Sequence, residues 1–437
     1  MASMPDTNFR MLLGQLYQAA VAAAEPGRAL ETALRRLPEP PATRLWLLAL
    51  GKAAQPMAEA AVRQLASRGR VPAGGLIVAP TVAPVPHPAL TVVAGDHPEP
   101  GAGSLAAAEA VGALAARVAP EDEVWVLLSG GTTSLIGAPE PGLAPADLKE
   151  LYRLLLGSGL DIAAMNQVRK RFARWGGGKL ARALAPARVR LFIVSDVIGD
   201  DLAAIGSGPC VPDPATAGDV RALLERAGLW TATPDAMRQR LEKTQRGESP
   251  ETPKPGDPMF EHITTELVAS NRLALEAVAR HAAELGLVPH LHPEPLAGEA
   301  SDAGARIAAT LLSHRGAAAP PGKHCLIWGG ETTVTLGKSP GLGGRSQELA
   351  LAAARALDGT PAPVALLAGG TDGRDGPTDA AGAIVDGATW QAIRATGRDP
   401  ADHLARHDAY PALEAAGVLL KPGLTGTNVM DVVIGLC

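Results

Sequence analysis

Three apolar runs in this chain end in paired glycines with threonine close behind. Val124–Leu128 leads into Ser129-Gly130-Gly131-Thr132-Thr133, and Cys325–Trp328 into Gly329-Gly330-Glu331-Thr332-Thr333. Val364–Ala368 leads into Gly369-Gly370-Thr371-Asp372-Gly373. Glycine lets backbone N–H groups approach an anion closely, and Ser or Thr hydroxyls add donors. A helix starting at such a turn would add its positive end. An ordinary strand-to-helix turn would use the same residues, but three in one chain favour the anion reading. Ser129–Ser134 is the leading phosphate cradle on these grounds.

Basic residues stand beside these turns. Lys52 follows the run Leu45–Leu50, and an ammonium there suits a phosphate or carboxylate. Arg345 lies in Gly341-Leu342-Gly343-Gly344-Arg345-Ser346-Gln347-Glu348, a glycine loop entering a helix. Its guanidinium could clamp a planar anion at two points. Asn166-Gln167-Val168-Arg169-Lys170-Arg171, followed by Gly176-Gly177-Gly178-Lys179, is also basic, although a solvated helix face would look the same. Carboxylates gather in Ser195-Asp196-Val197-Ile198-Gly199-Asp200-Asp201 and in Thr371–Asp379, which includes Asp372 and Asp375. Phosphoryl transfer needs Mg²⁺ on the phosphates and a group to take the hydroxyl proton, and carboxylates do both. Asp-rich loops also serve as plain turns and caps. His97, His290 and His292 read as loop or edge histidines.

The familiar nucleotide motifs are missing. Gly337-Lys338-Ser339 has Thr332 where a P-loop needs its first glycine, and no protein-kinase signature appears in context. Gly101-Ala102-Gly103 is the nearest approach to the dinucleotide fingerprint, and it lacks the third glycine. This weakens a dehydrogenase reading.

The elements that must position these residues alternate. Short apolar runs at Leu45–Leu50, Gly75–Val78, Val124–Leu128, Leu191–Val194, Cys325–Trp328 and Val364–Ala368 read as strands buried on both faces. Ala-rich helical stretches such as Ser104–Val118 and Asn271–Glu284 lie between them. This predicts an α/β protein with a largely parallel sheet, whose ligands bind at the carboxyl ends of the strands. Glu242–Met259 is rich in charge and proline and cannot pack a core, so it reads as a hinge or exposed excursion between two domains.

Composition narrows the function classes. At 437 residues, two domains are expected. A net charge of −5 argues against a nucleic-acid binder. Cys210, Cys325 and Cys437 are odd in number and far apart, so neither a disulfide framework nor a structural zinc site is expected, and a cytoplasmic location is. The apolar stretch Met11–Ala24 is broken by Gln15 and Gln18, and it reads as an amphipathic helix and not as a signal peptide or membrane span.

Taken together, these segments resemble the glycerate 2-kinase family, whose C-terminal part is called the MOFRL domain. The stretches that carry the resemblance begin with Gly51-Lys52-Ala53-Ala54, Gly95-Asp96-His97-Pro98, Ser129-Gly130-Gly131 and Asn166–Lys170. They continue with Ser195–Asp201, Ser207-Gly208-Pro209, Pro212-Asp213-Pro214, Gly329–Val334 and Gly343–Glu348. Gly370–Gly373, Asp379–Ala383 and Thr425-Gly426-Thr427-Asn428 complete the series. The chain departs from the family pattern at Thr132-Thr133-Ser134, Ser346 and Met430.

The resemblance implies two α/β domains, a Rossmann-like parallel-sheet domain over 1–250 and a smaller C-terminal MOFRL domain over 251–437. The active site would lie in the interdomain cleft. Separately, the turn Thr425-Gly426-Thr427-Asn428 precedes a strand-like run, which suggests that 425–437 packs back on the N-terminal domain. The resemblance implies ATP, Mg²⁺ and D-glycerate, giving 2-phosphoglycerate and ADP. No nucleic-acid or membrane partner is expected, and a homodimer is allowed. The expected catalytic residues are Lys52, Arg345 and Asp196. Ser129, Gly130, Gly131, Arg169, Asn271, Gly330, Glu331, Thr332 and Asp372 are expected around substrate and nucleotide, and Asp196 and Asp375 at the metal. The rival readings are an NAD(P)H-dependent hydroxypyruvate reductase and a non-catalytic hydroxy-acid or phosphate sensor.

Overall fold

A computed structural model describes residues 7–38, 43–315 and 324–437. The chain forms two compact units, one of Pro26–Val268 and one of Met1–Glu25 with Ala269–Cys437. The architecture is α/β in both.

The first unit is built on β1 (Leu45–Leu50), β2 (Gly74–Ala79), β3 (Leu90–Ala94), β4 (Glu123–Leu128), β5 (Arg188–Val194) and β6 (Ile263–Ala269). Their order in the sheet is β3-β2-β1-β4-β5-β6, with β1 to β5 all parallel. Every residue of β1, β2 and β4 is buried. That explains the unbroken apolar runs, because a parallel sheet covered on both faces has no solvent side to alternate toward. With few aromatics available, one core layer is made of Leu48, Leu50, Leu76, Val78, Val126 and Leu128 packed on small residues such as Ala107, Ala108 and Ala181.

The second unit carries β7 (Val288–Leu291), β8 (His324–Gly330), β9 (Ala365–Gly370), β10 (Gly382–Asp386), β11 (Leu419–Leu420) and β12 (Asp431–Leu436). The order is β11-β10-β9-β12-β8-β7. β7 and β8 run parallel, whereas β12 lies antiparallel between β8 and β9, and β10 is antiparallel to β9. This sheet is mixed.

Three expectations need correction. The segment 425–437 does not return to the N-terminal domain: β12 is a central strand of the second sheet, and the row Asp431–Leu436 is buried throughout. The first helix, Thr7–Ala24, belongs with the second unit despite its place at the start of the chain. Leu13, Leu16, Tyr17, Ala20 and Ala24 form a fully buried stripe at helical spacing, the Tyr17 hydroxyl donates to the Gly370 carbonyl at 2.7 Å, and Thr427 Oγ1 donates to Ala24 O at 2.5 Å. Finally, the chain divides after Val268 and not at 250/251. The segment Glu242–Met259 starts inside the helix Asp235–Gln245, and the rest is tied down by polar groups. Thr252 donates to Asp213 Oδ2 at 3.0 Å, Asp213 N donates to Pro253 O at 2.9 Å, and Glu251 pairs with the buried Arg171. Composition denied this segment a core of its own, yet it did not prevent hydrogen bonds and an ion pair from fixing it to the first unit.

Candidate functional site

The sheet order of the first unit has its reversal point between β1 and β4, where α/β folds of this order bind ligands. Two turns meet there. Lys52 N donates to Gly130 O at 2.9 Å, and Ala53 N donates to Ser129 Oγ at 3.0 Å. Gly51 holds φ +121°, and a side chain on it would overlap Ser129. The turn after β1 is thus docked on the turn after β4, and Lys52 is left with its side chain exposed at the strand ends.

Around this junction three ionisable side chains converge. A Cβ at Gly130 would overlap the Asp196 carboxylate, so the backbone there approaches Asp196 more closely than any other residue type would permit. At Gly131, with φ +85°, a Cβ would lie 3.1 Å from Lys52 Cγ and 3.2 Å from His97 Cδ2. Asp196 has its pKa raised by burial, with Lys52 and His97 pulling the other way. His97 has its pKa lowered by burial and by the Lys52 ammonium, against a smaller opposite pull from Asp196. An exposed ammonium, an imidazole held toward its neutral form and a desolvated carboxyl therefore share one glycine turn. The helix expected after that turn is only the single turn Thr132–Leu135, so its dipole adds little. What lies beside it is a strained loop: Ser207 holds φ +63° between Gly206 and Gly208, and its hydroxyl meets that of Thr133 at 2.9 Å.

The basic stretch 166–179 is not a solvated face. Arg169 lies with its guanidinium carbon 4.9 Å from the Tyr152 ring centroid. Lys179 is buried, donates to the carbonyls of Lys170, Arg171 and Ala173 at 3.0, 2.9 and 2.6 Å, and pairs with Glu140 at 2.7 Å. It closes the end of the helix Ile162–Phe172 that carries Arg169. Burial lowers its pKa to about 8, despite the opposing pull of Glu140.

The second unit assembles a different group at the start of the helix Arg345–Leu357. Arg345 Nε and Nη2 donate to Asp431 Oδ2 and Oδ1 at 2.5 and 3.1 Å, while Nη1 pairs with Glu331 at 2.5 Å. The arginine expected to clamp a planar anion is therefore already held on two sides. Asp375 accepts from the backbone N–H groups of Ser346 at 3.2 Å and Gln347 at 2.8 Å, and so caps this helix from a distant loop. Burial and the neighbouring Asp431 push its pKa up to about 7, against those two amides and Arg345. Asn271 spends both Nδ2 hydrogens on the carbonyls of Val429 and Asp431, at 2.8 and 3.0 Å, which places it as a brace for β12. Asp372 accepts from the Arg374 amide at 3.0 Å in a local turn, Gly330 holds φ +138° at the end of β8, and Thr332 is buried.

The residues expected at the site thus fall into two groups. Lys52, Ser129, Gly130, Gly131 and Asp196 meet in the first unit. Arg345 and Glu331 meet in the second, with Asn271 holding the backbone of Asp431. The expected metal pair is divided between the units, with Asp196 in the first and Asp375 in the second. Both oxygens of Asp375 already accept amides, and among the described residues no three His, Cys, Asp or Glu side chains stand together as a metal cage. Asp431 and His97 escaped the list of expected residues. The stretch Gly95–Pro98 marked His97, whereas nothing local marked Asp431, whose partner is 86 residues away.

Comparisons with known proteins identify the family. A domain of unknown function (DUF4147) matches residues 12–242, and the MOFRL family matches residues 324–431. A glycerate 2-kinase of Pyrococcus horikoshii is 41% identical over 349 residues, covering 79% of this chain and 78% of the relative. A D-glycerate 2-kinase of Thermotoga maritima is 36% identical over 430 residues, covering 98% of both. A protein of Agrobacterium vitis that carries a provisional hydroxypyruvate reductase name is 38% identical over 429 residues, covering 98% of this chain and 94% of the relative. The crystal structure of a glycerate kinase from Thermotoga maritima superposes with a TM-score of 0.88 at 35% identity, covering 98% of this chain and 99% of that one. By sequence and by fold, the chain belongs to the glycerate 2-kinase family.

Proposed function

We propose that this protein transfers the γ-phosphoryl group of ATP to the 2-hydroxyl of D-glycerate, giving 2-phosphoglycerate and ADP. The observation that carries the reading is the junction of the β1 and β4 turns, where Lys52 and Asp196 face a glycine backbone with no room for a side chain. Such a turn suits a polyphosphate, because backbone N–H groups on a glycine turn and one ammonium are what its oxygens require. Mg²⁺ fits as well, since it needs one or two protein carboxylates and takes its other ligands from phosphate oxygens and water. Asp196 would hold it, and the ion when bound would neutralise phosphate charge.

The side chains then divide the work. The hydroxyl oxygen of glycerate forms a bond to the γ-phosphorus as the bond to the β,γ-bridging oxygen breaks, and the leaving electron pair stays on ADP. Lys52 opposes the charge that develops on the transferring group. The hydroxyl proton passes to a nearby base, Asp196 where it does not hold the ion and otherwise the neutral His97 beside it. Arg345 binds an anionic group of the substrates, a carboxylate or a phosphoryl. A cytoplasmic setting fits this chemistry, and no helix among the described residues is long and apolar enough to cross a membrane.

A panel of small hydroxy-acids with ATP, read by nucleotide consumption, tests the reaction. Enolase, pyruvate kinase and lactate dehydrogenase added together report 2-phosphoglycerate directly. Signal only after a phosphoglycerate mutase is supplied would mean the 3-phosphate and would refute the regiochemistry. A reductase reading is favoured by two observations, the dinucleotide-type strand order and the name of the Agrobacterium vitis relative. Against it, the turn after β1 is Gly51-Lys52-Ala53-Ala54 and lacks the spaced glycines that a pyrophosphate needs. NADH oxidation on adding hydroxypyruvate decides the matter.

A further inference from the structure

We infer that Glu331 is an internal stand-in for the anion that Arg345 binds, displaced when that anion arrives, and that Asp431 is the fixed residue that aims the guanidinium. The inference rests on the reading of Arg345 as an anion-binding residue.

A guanidinium offers more than one hydrogen-bonding edge, and the two carboxylates take different ones. Asp431 takes Nε and Nη2 in a two-point contact. It cannot easily leave. Its side chain is 8% exposed, it opens a central strand paired to Gly330 on one side and Gly370 on the other, and Asn271 holds its carbonyl at 3.0 Å. Removing one partner of such a pair strands a charge in a dry site.

Glu331 is held differently. It contacts Nη1 at one point, its side chain is 40% exposed, and it follows the last residue of β8. Exposed ion pairs contribute little, and water competes for both partners. The Arg345 side chain is 34% exposed, so a ligand can reach it. Glu331 offers a carboxylate, the same chemical class as the acid group of a hydroxy-acid and close kin to a phosphoryl oxygen pair. A ligand anion can therefore replace Glu331 on Nη1 while Asp431 keeps the other edge in place. The glutamate both satisfies the arginine in the empty protein and weakens its hold on stray anions.

The test turns on the sign of the effect. Glu331→Gln keeps the size of the side chain and removes its charge. It should lower KM for the displacing substrate about two- to fivefold, the range expected for an exposed ion pair. A fall in KM for glycerate assigns Arg345 to the carboxylate, and a fall in KM for ATP assigns it to the phosphoryl group. Asp431→Asn should move kcat/KM the other way, with a thermal melt to separate misfolding from misplaced guanidinium. Inorganic phosphate, titrated by calorimetry into wild type and Glu331→Gln, should bind more tightly to the variant. This arm needs no turnover, so wild type inert toward every hydroxy-acid would refute the kinase reading while the phosphate comparison still judged Glu331. A variant with KM unchanged or raised and phosphate binding no tighter would overturn the inference, since Glu331 would then be an ordinary surface pair or a direct ligand contact.

Discussion

Gly130 is a position where one methyl group should separate activity from folding. A Cβ there would overlap the Asp196 carboxylate, which must rotate or shift to admit it. Gly130→Ala should lower kcat by on the order of 10² or more, the usual scale for losing a positioned proton acceptor, with a melting temperature close to wild type. Steady-state kinetics beside a thermal melt checks this; wild-type turnover would remove Asp196 from the mechanism. Lys52 differs in kind, because its side chain is exposed and its fixed part is the backbone N–H donated to Gly130 O. Lys52→Ala leaves that hydrogen bond in place. It should cost on the order of 10²–10³ in kcat with no loss of stability, as for one preorganised charge-stabilising donor. A rise in KM alone would instead assign Lys52 to ground-state binding.

At the scale of elements, the helix Arg345–Leu357 depends on a cap that the chain supplies from thirty residues downstream. Asp375 takes the amides of Ser346 and Gln347, and Gln347 Nε2 reaches back to Asp375 O and Thr378 Oγ1 at 3.3 and 2.7 Å. Its pKa, raised from 3.8 to about 7 chiefly by burial, makes the folded protein bind a proton there more tightly than the unfolded chain does. Stability from this group is therefore full below pH 3.8 and is lost as pH rises through about 7. Melting temperatures of wild type and Asp375→Asn, measured across that interval, should show a falling component in wild type that the variant lacks. Parallel curves would mean that Asp375 stays ionised throughout. Lys179 does the corresponding work at the end of the helix Ile162–Phe172, where one ammonium serves three carbonyls.

Over the whole molecule, the order of the chain and the order of its units disagree. The helix Thr7–Ala24 is first in sequence, yet it buries its apolar stripe in the unit formed by the last part of the chain. Tyr17→Phe deletes a buried hydroxyl and its hydrogen bond to the Gly370 carbonyl, which still accepts from Gly373 N at 3.2 Å, at a cost of about 0.5–1.5 kcal/mol. The loss should appear in the unfolding of the second unit, followed by calorimetry or by hydrogen exchange at β9 and β12. A change confined to residues 26–268 would contradict this placement of the helix.

What the sequence determined by itself was what is local in it. The apolar runs became strands within a residue or two at most ends, because burial on both faces leaves a continuous signal. Asn271–Glu284 became a helix with those limits, started by Ser270 Oγ accepting from Leu273 N at 3.3 Å. The glycine turn at 129–131 was legible as a close backbone approach, and the structure sets it against Asp196, Lys52 and His97. Strand order was not legible: β12 inserts between β8 and β9 by pairing with residues 61 to 111 positions away, and no window of sequence holds both partners. Glu242–Met259 looked like a hinge because composition reports a missing core and says nothing of an ion pair to Arg171. Arg345 looked free because its two carboxylates lie 14 residues before it and 86 after. Only the tertiary structure decides which charges meet, since that depends on long-range packing and not on neighbours in the chain.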